Sequence, residues 1–499
     1  MKAGYKIPKE IEKIAETLTK AGFQAYLVGG CLRDLLLGTE PKDWDIATNA
    51  KPEEVQKFFA DSVYENSFGT VGVKTESEDP KLKIIEITSF RLEGKYTDKR
   101  HPDEIKFAKT IEEDLARRDF TVNALAMDLA AKEKIVDLFG GMADLKNKTL
   151  RAVGNAEERF SEDALRLLRA VRFSAQLGFE IEAKTLAAIK NKAGLLEFIS
   201  KERIRDEFSK MIMTPNACRG VDDLQALGLL KFIVPELALG IGCEQNKHHI
   251  YDVFEHNLRA LEYSASKDLS LEVRLASLFH DVGKPESRRW ADDPRGEKTQ
   301  NGKKGDWTFY QHQYIGEKLV LRILDRLRFA KEIIEKVALL VREHMFVYDP
   351  EAVTERGVRR LVSRVGAENV DDLLRVREAD RIGSGVPKAQ PYRLRHLKAM
   401  IEKAKKDPIS PKLIKMNGTE LMEILKIQPG PKVGQILSVL LEEVLDNPEL
   451  NEKEILTQRV QELNKLAEKE LQKLAGQAKV SAREEQERID GEIKKKFFV

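Results

Sequence analysis

The chain has 499 residues, 42% hydrophobic and 34% charged, with 85 Lys and Arg against 83 Asp and Glu. That length exceeds a single core and implies three or four domains. The composition excludes a disordered or fibrous chain, and the near-cancelling charge means that any nucleic-acid surface must come from local clustering. Cys31, Cys218 and Cys243 are widely spaced, which points to a reducing compartment, the cytoplasm, and away from a disulfide framework or zinc knuckle. No apolar stretch approaches the roughly 20 residues of a membrane span, and the first residues alternate charge on a helical period without a signal-peptide core.

In chain order, residues 5–20 predict an amphipathic helix and QAYLVGG (24–30) a buried strand ending at a glycine turn. CLRDLLLG is a short helix closed by Gly38, DWDIAT a second strand, and KPEEVQKFF a helix with Pro52 in its first turn. VGVKTE, LKIIEITSF and DEIKFA complete a strand-rich set ending near residue 108, and the α/β character stops near 145. From there the patterns are helical. SEDALRLLRAVRFSAQLGF opens on a serine cap. A polar loop, residues 291–306, interrupts a block that starts near 245. MNGTELMEIL and QPGPKVGQIL are joined by a Pro/Gly turn, and residues 461–499 read as a charged tail.

Alternation along DWDIAT puts Asp43 and Asp45 on one face and Trp44 on the other. Two such close carboxylates repel unless a cation lies between them, and Mg²⁺ suits a carboxylate pair plus phosphate oxygens. Glu86, an acidic residue among apolar ones in LKIIEITSF, can supply a third carboxylate. Gly29 and Gly30 let backbone N–H groups approach a triphosphate, and Arg33 offers a fixed fork for its oxygens. Alone, the glycine pair is an ordinary turn and DWD a solvated strand end; together with Glu86 they outline a nucleotide site.

GG-x-x-R-D followed by D-x-D resembles the first motif of polymerase β-like nucleotidyltransferases, in the branch of class II tRNA nucleotidyltransferases (CCA-adding enzymes) and bacterial poly(A) polymerases. The similarity continues through ARRDFTVNALAMD (116–128), SEDALRLLRAVRF (161–173) and SKERIRDEFSKM (200–211). It implies that Asp43 and Asp45 bind the catalytic Mg²⁺ ions, with Glu86 helping to activate the primer 3′-hydroxyl in a two-metal displacement. It also implies that Arg118 and Asp119, supported by Asn123, contact the ribose.

At helical spacing Asp163, Arg166, Arg169 and Arg172 share one face. Cytosine and adenine both offer an amino donor beside an unprotonated ring nitrogen, so an acceptor (Asp163) next to a donor (Arg166) matches both. Guanine and uracil would leave that pair opposed by like partners, at roughly 1–3 kcal/mol for each unsatisfied buried group. The resemblance gives these two residues that base-reading role, with Glu202 to Glu207 in the bracing helix and Arg169 and Arg172 on the triphosphate. The segment 94–107 resembles the flexible loop of CCA-adding members, and ENSFGTVGVK their pattern; poly(A) addition shares every catalytic residue and stays the alternative.

Six of the eight histidines fall in residues 245–380. His256, the adjacent pair His280 and Asp281, His312, His344 and Asp380 combine imidazole and carboxylate donors suited to a divalent metal. Their order resembles HD-domain phosphohydrolases, in which His256, His280, Asp281 and Asp380 match the core ligands and His312 and His344 those of a second ion; Lys284 is placed to pair with phosphate. The substrate implied is a 2′,3′-cyclic phosphate or phosphomonoester, and the alternative is a scaffold without catalysis. His248 and His249 receive no role.

Basic residues cluster at RGVRRLVSR (356–364) and YRLRHLKAMIEKAKK (392–406), either to follow an RNA backbone or as solvated faces. The expected architecture is an α/β nucleotidyltransferase head with a small mixed sheet (1–145), then an all-α neck for base recognition (146–240), an HD domain (241–385), a helical tRNA-binding region (386–460) and the tail (461–499). The partners implied are tRNA, CTP and ATP, with no membrane. The different-class readings are a nucleotide phosphohydrolase with a binding-only head and a non-catalytic tRNA-binding protein.

Overall fold

A computed structural model describes residues 6–66, 69–92, 106–131, 134–245, 250–291, 306–351, 353–405 and 414–478. Most of the 94–107 loop, His248, His249, the 291–306 loop apart from its ends, and the chain beyond 478 lie outside these. The chain divides into two compact units, residues 1–233 and 234–499.

The first unit is built on strands β1 (Ala25–Val28), β2 (Asp45–Thr48), β3 (Ser62–Asn66), β4 (Thr70–Lys74), β5 (Ile84–Ser89), β8 (Leu125–Asp128) and β9 (Ile135–Asp137), in the spatial order β3-β4-β5-β2-β1-β8-β9. A separate two-stranded ribbon pairs β6 (Arg91–Leu92) with β7 (Lys106–Phe107). β2 and β5 run parallel and the other neighbours in the large sheet antiparallel. β1, apolar throughout, and β4, rich in β-branched residues, are buried along most of their length, as expected for strands covered on both faces. The parallel register sets Asp45 opposite Glu86, so two acidic side chains predicted on separate strands become neighbours.

Three local expectations change. Gly29 and Gly30 do not form a free turn; they open the helix Gly29–Leu36 directly at the end of β1, with Gly29 at φ +69. The segment beginning SEDALRLL is not one helix with a serine cap. Ser161 belongs to Ala156–Glu162, Asp163 sits in an extended break, and the long helix is Leu165–Leu177. Residues beyond 145 are not wholly helical either, because Thr149–Leu150 pairs with Glu180–Ile181, and Arg289–Ala291 with Asp306–Thr308. Leu165–Leu177 ends at left-handed Gly178 and packs on Lys201–Ile212.

The second unit holds the helices Val253–Ser266, Leu271–Phe279, His312–Arg326, Lys331–Glu343 and Val370–Gly383, the first capped by Asp252 and the second by Ser270. Gly418–Leu425, Pro431–Asp446 and Lys453–Lys465 enclose a core with Leu421, Ile436 and Leu440. Leu463, Leu471 and Ala475 are buried in that same core, so residues 461 to 478 of the expected charged helical tail pack into the bundle. No helix among the described residues is long and apolar enough to cross a membrane.

Candidate active sites

At the start of β2, in the middle of the sheet, Asp43 is exposed, Trp44 is buried and Asp45 half-buried, the alternation a strand entry requires. Burial, then Glu86, then Asp43 push the Asp45 carboxyl up to about 7, with Arg118 opposing. A carboxylate so disfavoured by its neighbours is a fit for divalent cations, which convert the repulsion into coordination. Among the described residues, the groups of three donors that all lie within 4.8 Å of one another are both in the second unit. Asp43, Asp45 and Glu86 are not among those groups; what links them is the β2–β5 register and the action of Glu86 and Asp43 on the Asp45 charge.

Gly29 forms the floor beside them. A Cβ built there would come 3.0 Å from Arg118 Nη1 and 3.7 Å from Asp45 Oδ2, and the positive φ disfavours any side chain.

Behind the carboxylates runs a chain of charge-assisted bonds. Arg33 donates to Asn123 Oδ1 at 2.8 Å and to Asp34 Oδ1 at 2.7 and 2.8 Å. Asn123 Nδ2 donates to Asp119 Oδ1 at 3.2 Å, and Asp119 Oδ2 takes a two-pronged bond from Arg169 at 2.6 and 2.8 Å. Arg172 Nε donates to Glu207 Oε2 at 2.6 Å. Burial alone would raise the Asp119 carboxyl, but Arg169 outweighs it and holds it at about 2. Arg33, Arg169 and Arg172 lie 5.4, 5.3 and 3.9 Å from the ring centroid of Phe173. Phe173 is thus a common cation–π surface for guanidiniums from two helices.

Asp163, in its break, accepts from Leu165 N at 3.0 Å and from Arg203 at 2.8 Å. Arg166 donates to Glu162 Oε2 at 2.6 Å and to the carbonyls of Arg117 and Arg159 at 3.0 and 3.1 Å. The two are therefore adjacent, but at a helix junction and not in one helical row.

Asp114 was not singled out by sequence reasoning, although its spacing of three and four from Arg117 and Arg118 is the signal of a helical ion pair. It is 1% exposed and bonds both guanidiniums, at 2.6 and 3.0 Å. Burial raises it, yet Arg118 and then Arg117 win and hold it at about 2. A depressed folded pKa stabilises above the unfolded value and is lost as pH falls through the folded one. Asp114→Asn should therefore cost about 2 kcal/mol at pH 7 and flatten the loss of stability between pH 4 and pH 2, as read by chemical denaturation across that range. Unchanged curves would show that the pair carries no net stability.

In the second unit, five helices bring six ligand-type side chains into one buried cluster. His256 Nε2 lies 2.8 Å from His280 Nε2 and 3.1 Å from Asp281 Oδ2. His312 Nε2 lies 3.2 Å from Asp281 Oδ1 and 3.3 Å from His344 Nε2. Asp380 Oδ1 is 3.4 Å from His256 Nε2 and 3.6 Å from His280 Nε2. The Nδ1 atoms of His280, His312 and His344 each meet a backbone carbonyl, at 2.8, 2.9 and 2.6 Å. Those carbonyls select the Nδ1–H tautomer and leave Nε2 lone pairs aimed at one another. Unprotonated nitrogens 3.3 Å apart repel unless a proton or cation lies between them, so the donor set fits divalent metal. His256, His280 and Asp380 form one group, and Asp281, His312 and His344 a second. Lys284 Nζ contacts Asp281 Oδ2 at 2.5 Å and donates to Gln245 at 2.6 Å. Arg377 pairs with Asp380; neither Gln245 nor Arg377 had a sequence signal.

The basic cluster at 356–364 is spent inside the fold. Arg356 and Arg360 pair with Glu442, Arg359 donates to Leu445 O at 2.9 Å, and Arg364 meets Glu343 at 2.8 Å. Of the second cluster, Arg393 and Lys403 are more than half exposed, though each touches a carboxylate.

Residues 25–151 match the family described as the poly A polymerase head domain, 178–240 the probable RNA and SrmB-binding site of polymerase A, and 253–384 the HD domain. The CCA-adding enzyme of Ligilactobacillus salivarius is 34% identical over 462 residues, covering 92% of this chain and 98% of that one. The A-adding tRNA nucleotidyltransferase of Deinococcus radiodurans is 34% identical over 429 residues, covering 84% and 91%. The crystal structure of the Bacillus stearothermophilus CCA-adding enzyme in complex with CTP is similar at a TM-score of 0.64 and 28% identity, covering 93% of this chain and 98% of that one. With head, RNA-binding and HD segments in sequence and a relative matched almost end to end, the chain belongs to the CCA-adding enzyme family of tRNA nucleotidyltransferases.

Proposed function

We propose that the protein adds C, C and A to tRNA 3′ ends from CTP and ATP without a nucleic-acid template, with Mg²⁺ in the head, and acts in the cytoplasm. Residues 1–145 serve as the catalytic head, 146–240 as the base-reading neck, 241–385 as an HD phosphohydrolase domain and 386–460 in tRNA binding. The observation that carries the reading is Asp45 held beside Glu86 and Asp43 with its carboxyl at about 7, next to a glycine floor.

When bound, a pair of Mg²⁺ ions activates the 3′-hydroxyl and neutralises the leaving pyrophosphate. Asp43, Asp45 and Glu86, at the paired strands β2 and β5, would hold that charge while the 3′-oxygen forms its bond to the α-phosphorus and the bond to pyrophosphate breaks. Arg118 and Asp119, oriented by Asp114 and Arg169, position the ribose. Asp163, braced by Arg203, and Arg166 read the base edge; Arg169, Arg172 and Arg33 face the triphosphate. In the HD domain, His256, His280, Asp281, His312, His344 and Asp380 hold divalent metal, and Lys284 meets the phosphate of a cyclic or monoester end.

The A-adding relative, equal in identity to the first CCA-adding one, supports a second reading in which only the terminal A is added. Purified protein with Mg²⁺, labelled CTP or ATP, and tRNA ending at its discriminator base or at CC separates the readings. Two C and one A on the first tRNA is the expected result. A on the CC-ended tRNA alone favours the A-adding reading, long A tracts favour a poly(A) polymerase, and no incorporation refutes the polymerising head.

A further inference from the structure

Phe173 sits in the helix Leu165–Leu177, 5% exposed, with the Phe120 ring packed edge to face against it at 5.8 Å between centroids. Filling that space needs only an apolar residue of the right volume. The guanidiniums gathered around the same ring need more. Arg169 and Arg172 come from its own helix and Arg33 from the helix Gly29–Leu36, and all three lie within cation–π reach of the ring.

Like charges collected at one ring repel, and two of these are buried, Arg33 at 3% exposure and Arg172 at 8%. Each has a carboxylate at its edge: Asp34 for Arg33, Asp119 for Arg169 and Glu207 for Arg172. Hydrogen bonds of that kind fix a guanidinium within its own plane and leave its flat face unserved. At Arg172 the compensation falls short, because burial pulls its pKa down against Glu207 and the Arg169 charge adds to the fall. The negative face of an aromatic ring supplies what remains, and it does so without occupying an N–H that phosphate can use. An aliphatic side chain of the same bulk cannot.

The cluster also stands in the right place. A Cβ at Gly30 would come 3.7 Å from Arg33 Nη2, and one at Gly29 would come 3.7 Å from Asp45 Oδ2. The arginines therefore begin one residue along the chain from the glycine that borders the carboxylates. Asp119 joins Arg169 to Asn123, and Asn123 joins back to Arg33, so the ring closes a loop of groups that already runs behind the site.

We propose that Phe173 is a positioning residue, its ring holding the guanidiniums of Arg33, Arg169 and Arg172 in one converging set before a nucleoside triphosphate arrives. This rests on the reading of those arginines as the ones that face the triphosphate. A set assembled in advance lowers the ordering cost of binding. Draining the ring's negative face should therefore weaken the grip on the phosphates and leave RNA binding alone.

The test uses full-length protein carrying mono-, di- or trifluorinated phenylalanine at position 173, since fluorine withdraws charge from the ring face while nearly keeping its shape. With Mg²⁺ and tRNA lacking its CCA end, the KM for CTP and the inhibition constant of inorganic pyrophosphate should rise step by step with fluorine content, to about tenfold in the trifluorinated protein. The KM for tRNA should not move. Constants that stay flat across the series, or a tRNA KM that climbs with the others, overturn the role. If the wild type incorporates no nucleotide, the polymerising reading fails by itself. The ring is then judged by calorimetric titration with inorganic pyrophosphate: binding weakened by trifluorination upholds it, and equal binding, or none by the wild type, overturns it.

Discussion

Asp45→Asn should lower CTP and ATP incorporation into tRNA by about 10³-fold or more, on the order of 4 kcal/mol of transition-state stabilisation. The variant should nevertheless be at least as heat-stable as the wild type in metal-free buffer. Burial, Glu86 and Asp43 all disfavour the Asp45 charge, so a neutral isostere relieves repulsion while it removes a ligand. Activity lost with stability kept is the signature of a cation site, whereas loss of both would mark Asp45 as a structural group. Hydrolysis at the HD centre should persist in this variant, because that cluster lies in the other compact unit. Radiolabelled incorporation, differential scanning calorimetry and phosphate release give the three readings.

The second large effect is expected at Asp281. One of its oxygens approaches His256 and His280, at 3.1 and 3.4 Å, and the other approaches His312 and His344, at 3.2 and 3.7 Å. It is therefore the group that both halves of the cluster share. Asp281→Asn should abolish phosphate release, by about 10²-fold or more, and empty the centre of metal measured by mass spectrometry. It should also lower the thermal midpoint, since Lys284, 5% exposed, loses a charge partner at 2.5 Å. His312→Gln touches one group only and should leave metal in the other. Equal metal content in the wild type and both variants would refute the assignment.

Much of the head was legible because its signals are local. The buried run of β1, the alternation at Asp43-Trp44-Asp45 and an acid among β-branched residues each follow from a few neighbouring positions. β8 escaped notice because LAMD is made of good helix formers, and only pairing with β1 and β9 makes it a strand. The break at Asp163 was hidden for a related reason. SEDALRLL reads as a continuous helix, but the Asp163 side chain bonds Leu165 N and Arg203, from a helix 40 positions on, which holds an extended backbone there.

The arginines at 356–364 show the opposite failure. Their clustering is visible, but Glu442, the partner of Arg356 and Arg360, lies more than 80 positions downstream, and composition cannot reveal a pairing of that span. The clustering histidines and aspartates of the second unit were readable from the rarity of histidine and the adjacent His280-Asp281 pair. The lock on their tautomers, supplied by backbone carbonyls, exists only in the fold.

The carboxylates of the head can be interrogated directly by anomalous diffraction from crystals grown with Mn²⁺ and CTP. Manganese peaks within coordination distance of Asp43 and Asp45, with the triphosphate completing their shells over Gly29, is the result this account predicts. CTP bound in the head with no manganese at those carboxylates would contradict it.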